Sequence, residues 1–282
     1  MDRTEHGFTA VDAQAAPIAW VRVLDRLDRE PFYPAYKERL HGLLQARPGD
    51  VLLEVGAGTG EAALSVQRRS GAAVVAVDSA VTMAGECRAR GVERALAADA
   101  HQLPLQTNSV AGAWADRVLQ HVRAPTEVVD EMIRVVRPGG RLAFADPDYD
   151  TQALGISDQD LARSVLRYRA DHMLRHGTLA HQQAGLLASR GLVDIAVEAR
   201  TLVVRDPEAA DQVMGLRTWA HTAAAHGRLA TDLADRFVVL FDEAVAQGRF
   251  LYSVTFFLTS ATVPNAAPTA DNDRSTSAPV GE

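Results

Sequence analysis

The chain has 282 residues, 47% of them apolar and 23% charged, enough to bury a core as one large domain or one domain with a lid. A formal net charge of −7 with no evident basic patch disfavours a nucleic-acid partner, and no apolar run approaches the roughly 20 residues that span a bilayer. Cys87 is the lone cysteine, which excludes an internal disulfide, and the N-terminus lacks a basic-then-apolar leader, so a reducing cytoplasm is the expected location.

Apolar residues recur at helical spacing from Ala16 to Leu44, and Pro31 and Pro34 divide this stretch into two helices. The turn RPGD (Arg47–Asp50) precedes a strict alternation. Strands are predicted at Val51–Val55, Ala73–Val77, Arg94–Ala98, Val110–Ala115 and Arg141–Ala145. Helices are predicted at Thr59–Arg69, Ala80–Arg90 and Thr126–Val136, with RPGG (Arg137–Gly140) stopping the last. Alternating strands and helices imply right-handed crossovers and a mostly parallel sheet. After Pro147 helices are expected at Asp158–Arg175, Leu179–Arg190, Pro207–His226 and Thr231–Gln247, with strands at Val193–Val204 and Arg249–Thr259. This gives an N-terminal helical lid (1–45), a core (46–262) with helical insertions at about 150–190 and 206–248, and a tail (263–282) poor enough in apolar residues to be disordered.

The first βα turn reads Glu54-Val-Gly56-Ala-Gly58-Thr-Gly60. A nucleoside-triphosphate loop needs a lysine, and Lys37, the only one in the chain, lies outside the motif. A dinucleotide fingerprint needs a third glycine where Glu61 stands, and a glutamate there would repel a pyrophosphate. The turn therefore suits a cofactor without phosphate. Asp78 ends the second strand, where a carboxylate can accept both hydroxyls of a ribose, and Asp99 follows the third, where it can accept an adenine amine. Ribose and adenine without phosphate describe S-adenosylmethionine.

Residues 40–147 resemble a class I S-adenosylmethionine-dependent methyltransferase of the ubiquinone/menaquinone-biosynthesis-like, small-molecule subgroup. The segments that carry the resemblance are VLLEVGAGTG, VVAVDSAVTMAGECRARG, LAADAHQLPLQTNSVAGAWADRVLQHV and EMIRVVRPGGRLAFADPD. The resemblance implies an α/β, Rossmann-like, seven-stranded sheet whose last strand is antiparallel. It places Gly56, Gly58 and Gly60 on the methionine part, with Glu54 supporting its amino group. Asp78 goes to the ribose, Met83 to the adenine face, Asp99 and Ala100 to the adenine edge, and Asp116 and Arg117 to the methionyl end.

Such an enzyme transfers a methyl group to a small or medium organic molecule, and a GC-rich coding bias (one lysine among 29 basic residues) fits natural-product tailoring, as in antibiotic biosynthesis. The alternative is an enzyme on the same scaffold that keeps the cofactor but catalyses a cyclisation or rearrangement. His121 is the candidate general base, since imidazole titrates near neutral pH. Tyr33, Tyr36, Tyr149, His172, His176 and Trp219 are the candidate substrate contacts, from aromatic and histidine residues outside the core. His172 and His176 have a spacing that can share a metal, but no acid-rich helix motif accompanies them, so no metal is expected. The partner is a small molecule, with the chain a monomer or homodimer and no membrane involved.

Overall fold

The computed structural model describes residue 8 and residues 11–208 and 215–265. A short 3₁₀ turn (Val11–Ala13) leads into α1 (Ile18–Leu27) and α2 (Phe32–Gly42). The alternating core follows: β1 (Val51–Val55), α3 (Glu61–Ser70), β2 (Ala73–Asp78), α4 (Val81–Ala89), β3 (Arg94–Ala97), β4 (Val110–Asp116), α5 (Pro125–Val135) and β5 (Val136–Leu154). Then come α6 (Gln159–Tyr168), a π-helical turn (Arg169–Met173), a 3₁₀ turn (Ala180–Gln182), α7 (Gln183–Ala188), β6 (Val193–Val204), α8 (Leu216–Ala225), α9 (Thr231–Ala246) and β7 (Tyr252–Thr262). Among the described residues no helix is long and apolar enough to cross a membrane.

The strands form one sheet in the order β3-β2-β1-β4-β5-β7-β6. Strands β1 to β5 pair in parallel, and β7 runs antiparallel between β5 and β6. This is the expected seven-stranded, Rossmann-like arrangement. The chain order reverses between β1 and β4, and open α/β sheets bind ligands at the carboxyl ends of the strands beside such a reversal.

Both faces of the sheet are covered, which is why β1 reads as an apolar run, broken only by Glu54, instead of an alternating one. Successive side chains still point to opposite faces. Leu52 joins a core with Leu40, Trp114, Phe237 and Phe241, whereas Leu53 and Val55 join a second with Val129, Met132 and Phe144. Helix α5 starts with Pro125 at its first position, where the missing N–H costs nothing. Helix α4 has no side-chain cap of its own. Its first free N–H groups, at Val81 and Thr82, donate to the Asp12 carboxylate at 2.6 and 3.1 Å.

Several boundaries differ from the sequence reading. β5 extends well beyond Arg141–Ala145, because β7 pairs with it from Arg141 to Leu154 around a bulge between Asp148 and Ala153. β7 itself lies three residues later than expected at each end. The helix expected to reach Arg175 stops at Tyr168 and loosens into the π turn. The one expected at Leu179–Arg190 divides into a 3₁₀ turn and the short α7. The first ten residues of the expected lid, apart from Phe8, lie outside the described residues, as do 209–214 of the expected helix Pro207–His226 and the tail from 266.

Trp114 sits in the middle of β4 with no solvent exposure. Trp114→Ala should lower the unfolding free energy by about 3–5 kcal/mol, read as a lower midpoint in urea denaturation with an unchanged slope.

Candidate active site

A cavity of about 930 Å³ opens at the carboxyl ends of β1, β2 and β4, beneath α1 and the Val11–Ala13 turn. It stands at the upper end of the roughly 300–1,000 Å³ usual for small-molecule sites, room for a cofactor and a second molecule. Two ends of different chemistry can be distinguished.

The first end is built by the glycine turn. Gly56 has φ +71°, and a Cβ there would come within 2.3 Å of Val118 Cγ2, so backbone sign and space both require glycine. Gly56 and Ala57 donate their N–H groups to Val77 O at 2.7 and 3.0 Å. The Asp78 carboxylate accepts from Gly58 N at 2.8 Å and from Ala80 N at 2.9 Å. Burial raises its pKa, which those backbone donors partly offset, and each oxygen keeps a lone pair for further donors such as ribose hydroxyls. Gly60 does not line the cavity. It starts α3 with φ +80°, and a Cβ there would press on Val92 and Cys87.

Glu54 lies on β1 below this turn, buried, and its Oε2 has no hydrogen-bond partner. Desolvation pushes its pKa up to about 8. The free Oε2 on a cavity wall is satisfied by a donor from a bound molecule, and an amino-acid ammonium has that chemistry. Met83 packs with Val11, Val21, Ala80, Trp20 and Leu24, an apolar slot of the kind a flat base fills. Asp99 and Ala100 form the outer wall. Ala124 N–H donates to His101 Nε2, so His101 Nδ1 carries the proton and donates to Asp99. These residues fit the three parts of S-adenosylmethionine: ammonium, ribose and adenine.

The second end starts at the end of β4. Asp116 accepts the Tyr36 hydroxyl at 2.8 Å, with Lys37 Nζ and Arg117 Nε each 3.9 Å away. Arg117 has φ +57°, unusual for a non-glycine residue, held by its N–H donating to Ala145 O at 2.7 Å. The guanidinium lies 5.1 Å from the centre of the Tyr33 ring. His121 lies half-buried near it. Desolvation, then the charges of Arg117, Arg169 and Arg175, holds its pKa down to about 4. At neutral pH this imidazole is uncharged and a weak base.

The sequence-derived candidates Glu54, Gly56, Gly58, Asp78, Met83, Asp99, Ala100, Asp116, Arg117, His121, Tyr33 and Tyr149 all line the cavity. Tyr36, His172, His176 and Trp219 do not. Tyr36 stands behind the wall, its hydroxyl on Asp116 and its ring against Tyr33 and Phe256. Trp219 is fully buried, its ring 4.1 Å from the Arg169 guanidinium. His172 is exposed beside Tyr168, and His176 sits past the end of the π turn, its N–H donating to Gln120 O at 3.2 Å. The break in the expected helix at Tyr168 removes the shared face that would have aimed both histidines together.

Sequence reasoning missed Arg169, Arg175 and Phe256 in the wall. For Phe256 a signal existed, the alternation of β7, while the arginines belong to no motif. Asp148, Asp150 and His181 also approach one another, their potential ligand atoms within 4.8 Å. Asp148 already accepts from the His181 ring, His181 N and Asp150 N, so it acts as a clip between β5 and the 3₁₀ turn.

Residues 53–144 match a family described as a methyltransferase domain. An uncharacterized 37.1 kDa protein of a Streptomyces fradiae transposon is 34% identical over 248 residues, covering 86% of this chain and 70% of that one. The 27-O-demethylrifamycin SV methyltransferase of Amycolatopsis mediterranei is 32% identical over 116 residues, 39% of this chain and 43% of that one. In structure, a Haemonchus contortus phosphoethanolamine N-methyltransferase shares the fold with a TM-score of 0.58 at 15% identity, over 92% of this chain and 61% of that one.

Gly56→Ala tests the turn. It should push Val118 into the cavity and weaken S-adenosylhomocysteine binding by at least about tenfold, a cost of about 1.4 kcal/mol, measured by calorimetry.

Proposed function

The chain belongs to the class I S-adenosylmethionine-dependent methyltransferases, and on that premise we propose that it methylates a small or medium organic molecule in the biosynthesis of a secondary metabolite. The buried Glu54 carboxyl group carries the reading: its unpartnered oxygen, at the floor of the glycine turn, needs a cation. The shorter match to the rifamycin methyltransferase supports the assignment to natural-product tailoring. The acidic net charge speaks against nucleic acid as substrate.

When bound, the cofactor supplies a methyl group on a positively charged sulfur, electrophilic enough for in-line displacement. The chain holds, orients and dries the reactants. Glu54 takes the ammonium, Asp78 the ribose hydroxyls, the Met83 slot the adenine face, and Asp99 with Ala100 its edge. Tyr33 and Tyr149 border the acceptor. The N-terminal helices serve as the lid, fastened by Asp12 to the start of α4 and by Asp25 to Arg90. His121 is unprotonated at pH 7 and able to accept a hydrogen bond, but a weak base. The site therefore suits an acceptor that arrives as a ready nucleophile.

Incubation with methyl-labelled S-adenosylmethionine and a candidate acceptor should place the label in the product. Turnover without label would instead favour a cyclisation or rearrangement on this scaffold. Asp78→Ala should weaken S-adenosylhomocysteine binding by at least about tenfold, about 1.4 kcal/mol. Unchanged affinity would remove the cofactor assignment.

Glu54 gives a proton signature. Its pKa, raised from 4.5 to about 8, keeps it protonated in the free protein at pH 7. Since the folded state then holds a proton that the unfolded state has lost, stability falls as pH rises between those two values. An arriving ammonium reverses the shift. Cofactor binding at pH 7 should release about one proton in the wild type and almost none in Glu54→Gln, measured by calorimetry in buffers of different ionisation enthalpy.

A further inference from the structure

We propose that the second end of the cavity is an anion site, and that the substrate is a small organic acid whose carboxylate or phosphate group is gripped by Arg117 and Arg169. The proposal rests on the methyltransferase reading and adds the chemical class of the acceptor.

Arg117 and Arg169 both line the cavity, and the Nε of each is buried without a hydrogen-bond partner. Arg117 lies over Tyr33. Arg169 is held between two rings, 4.8 Å from Tyr149 and 4.1 Å from Trp219. Ring faces fix a guanidinium in place, and Arg169 also donates to the Tyr252 hydroxyl, but the buried Nε of each guanidinium has no acceptor. Two planar forks, immobilised in advance with donors to spare, match the bidentate geometry of carboxylate and phosphate. Arg175 lines the same end and, like the other two, acts on the neutral His121 ring.

The nearby acids do not cancel this charge. Asp116 stands 3.9 Å from Arg117 Nε, but one of its oxygens takes the Tyr36 hydroxyl and Lys37 shares its charge. Asp28 pairs with Lys37 at 2.6 Å. Asp146 is buried behind the cavity wall, where desolvation pushes its carboxyl pKa well up, and it accepts from Gln183 Nε2 at 2.8 Å. Asp148 is engaged by His181. Among the described residues Arg169 has no carboxylate partner. The cofactor's sulfonium and its own α-carboxylate would offset each other, so a neutral or cationic acceptor would leave the guanidinium charge uncompensated. Tyr33, Tyr149, Leu202 and Phe256 supply apolar wall for the rest of the molecule.

The test uses the full chain saturated with S-adenosylhomocysteine and three probes of equal tail: octanoate, octyl phosphate and octanamide. One of the two anions should bind at least about tenfold more tightly than octanamide, and whichever is tighter names the group. Arg169→Gln should abolish that preference while S-adenosylhomocysteine affinity stays unchanged, and Arg169→Lys should keep part of it. Equal binding of anion and amide by the wild type overturns the proposal whatever the variants do, and so does a preference that survives in Arg169→Gln. Failure of the wild type to bind S-adenosylhomocysteine at all would instead overturn the methyltransferase reading.

Discussion

The Asp78 carboxylate holds two turns of the chain against each other. One oxygen takes the N–H of Gly58, in the loop after β1, and the other takes that of Ala80, at the start of α4. The glycine turn is held further by Gly56 and Ala57 donating to Val77 O and by the Cys87 thiol donating to Gly58 O. The reversal of chain order beside β1 opens a crevice, and the clasp gives that crevice a fixed floor. Glu54, one strand position below the turn, is buried because the turn closes over it.

Charge is distributed along the cavity with a direction. Carboxyl groups gather at the cofactor end, in Glu54, Asp78 and Asp99, where ammonium, hydroxyls and an amine have to be received. Guanidinium groups gather at the other, in Arg117, Arg169 and Arg175. His121 lies inside the cationic half, and those neighbours together with burial lower its basicity. On the proposed reading, the guanidinium groups that would select an anion also weaken the one imidazole that an alcohol or phenol could use as a base.

What could be read from the sequence follows how local each determinant is. Strands β1 and β2 were legible because a parallel strand covered on both faces is a largely apolar run, unbroken in VVAV and interrupted in VLLEV only by Glu54. That Asp78 lines the cavity was legible because it depends only on its place at a strand end. The extent of β5 was not, since its partner β7 begins some hundred residues later and the pairing sets the length. Arg169 was not either, because a helical pattern runs through it, whereas the segment is a π turn and its guanidinium packs on the distant rings of Tyr149 and Trp219. The same loosening carried His172 and His176 away from the cavity. The cofactor half of the site was therefore written in short motifs, and the acceptor half in contacts between distant segments.

The cap of α4 comes from Asp12, 69 residues before Val81, instead of from the residue that starts the helix. A lid segment thereby completes a helix of the core. Were the Val11–Ala13 turn to lift away to admit a cofactor, the first N–H groups of α4 would lose their acceptor at the same moment, next to the Ala80 N–H that Asp78 holds. Departure of the lid and slackening of the ribose-binding carboxylate would then be one event, and a cofactor that re-forms the carboxylate's surroundings would draw the lid back. Closure over the reactants would need no separate trigger, because the latch and the binding site share a single turn of helix.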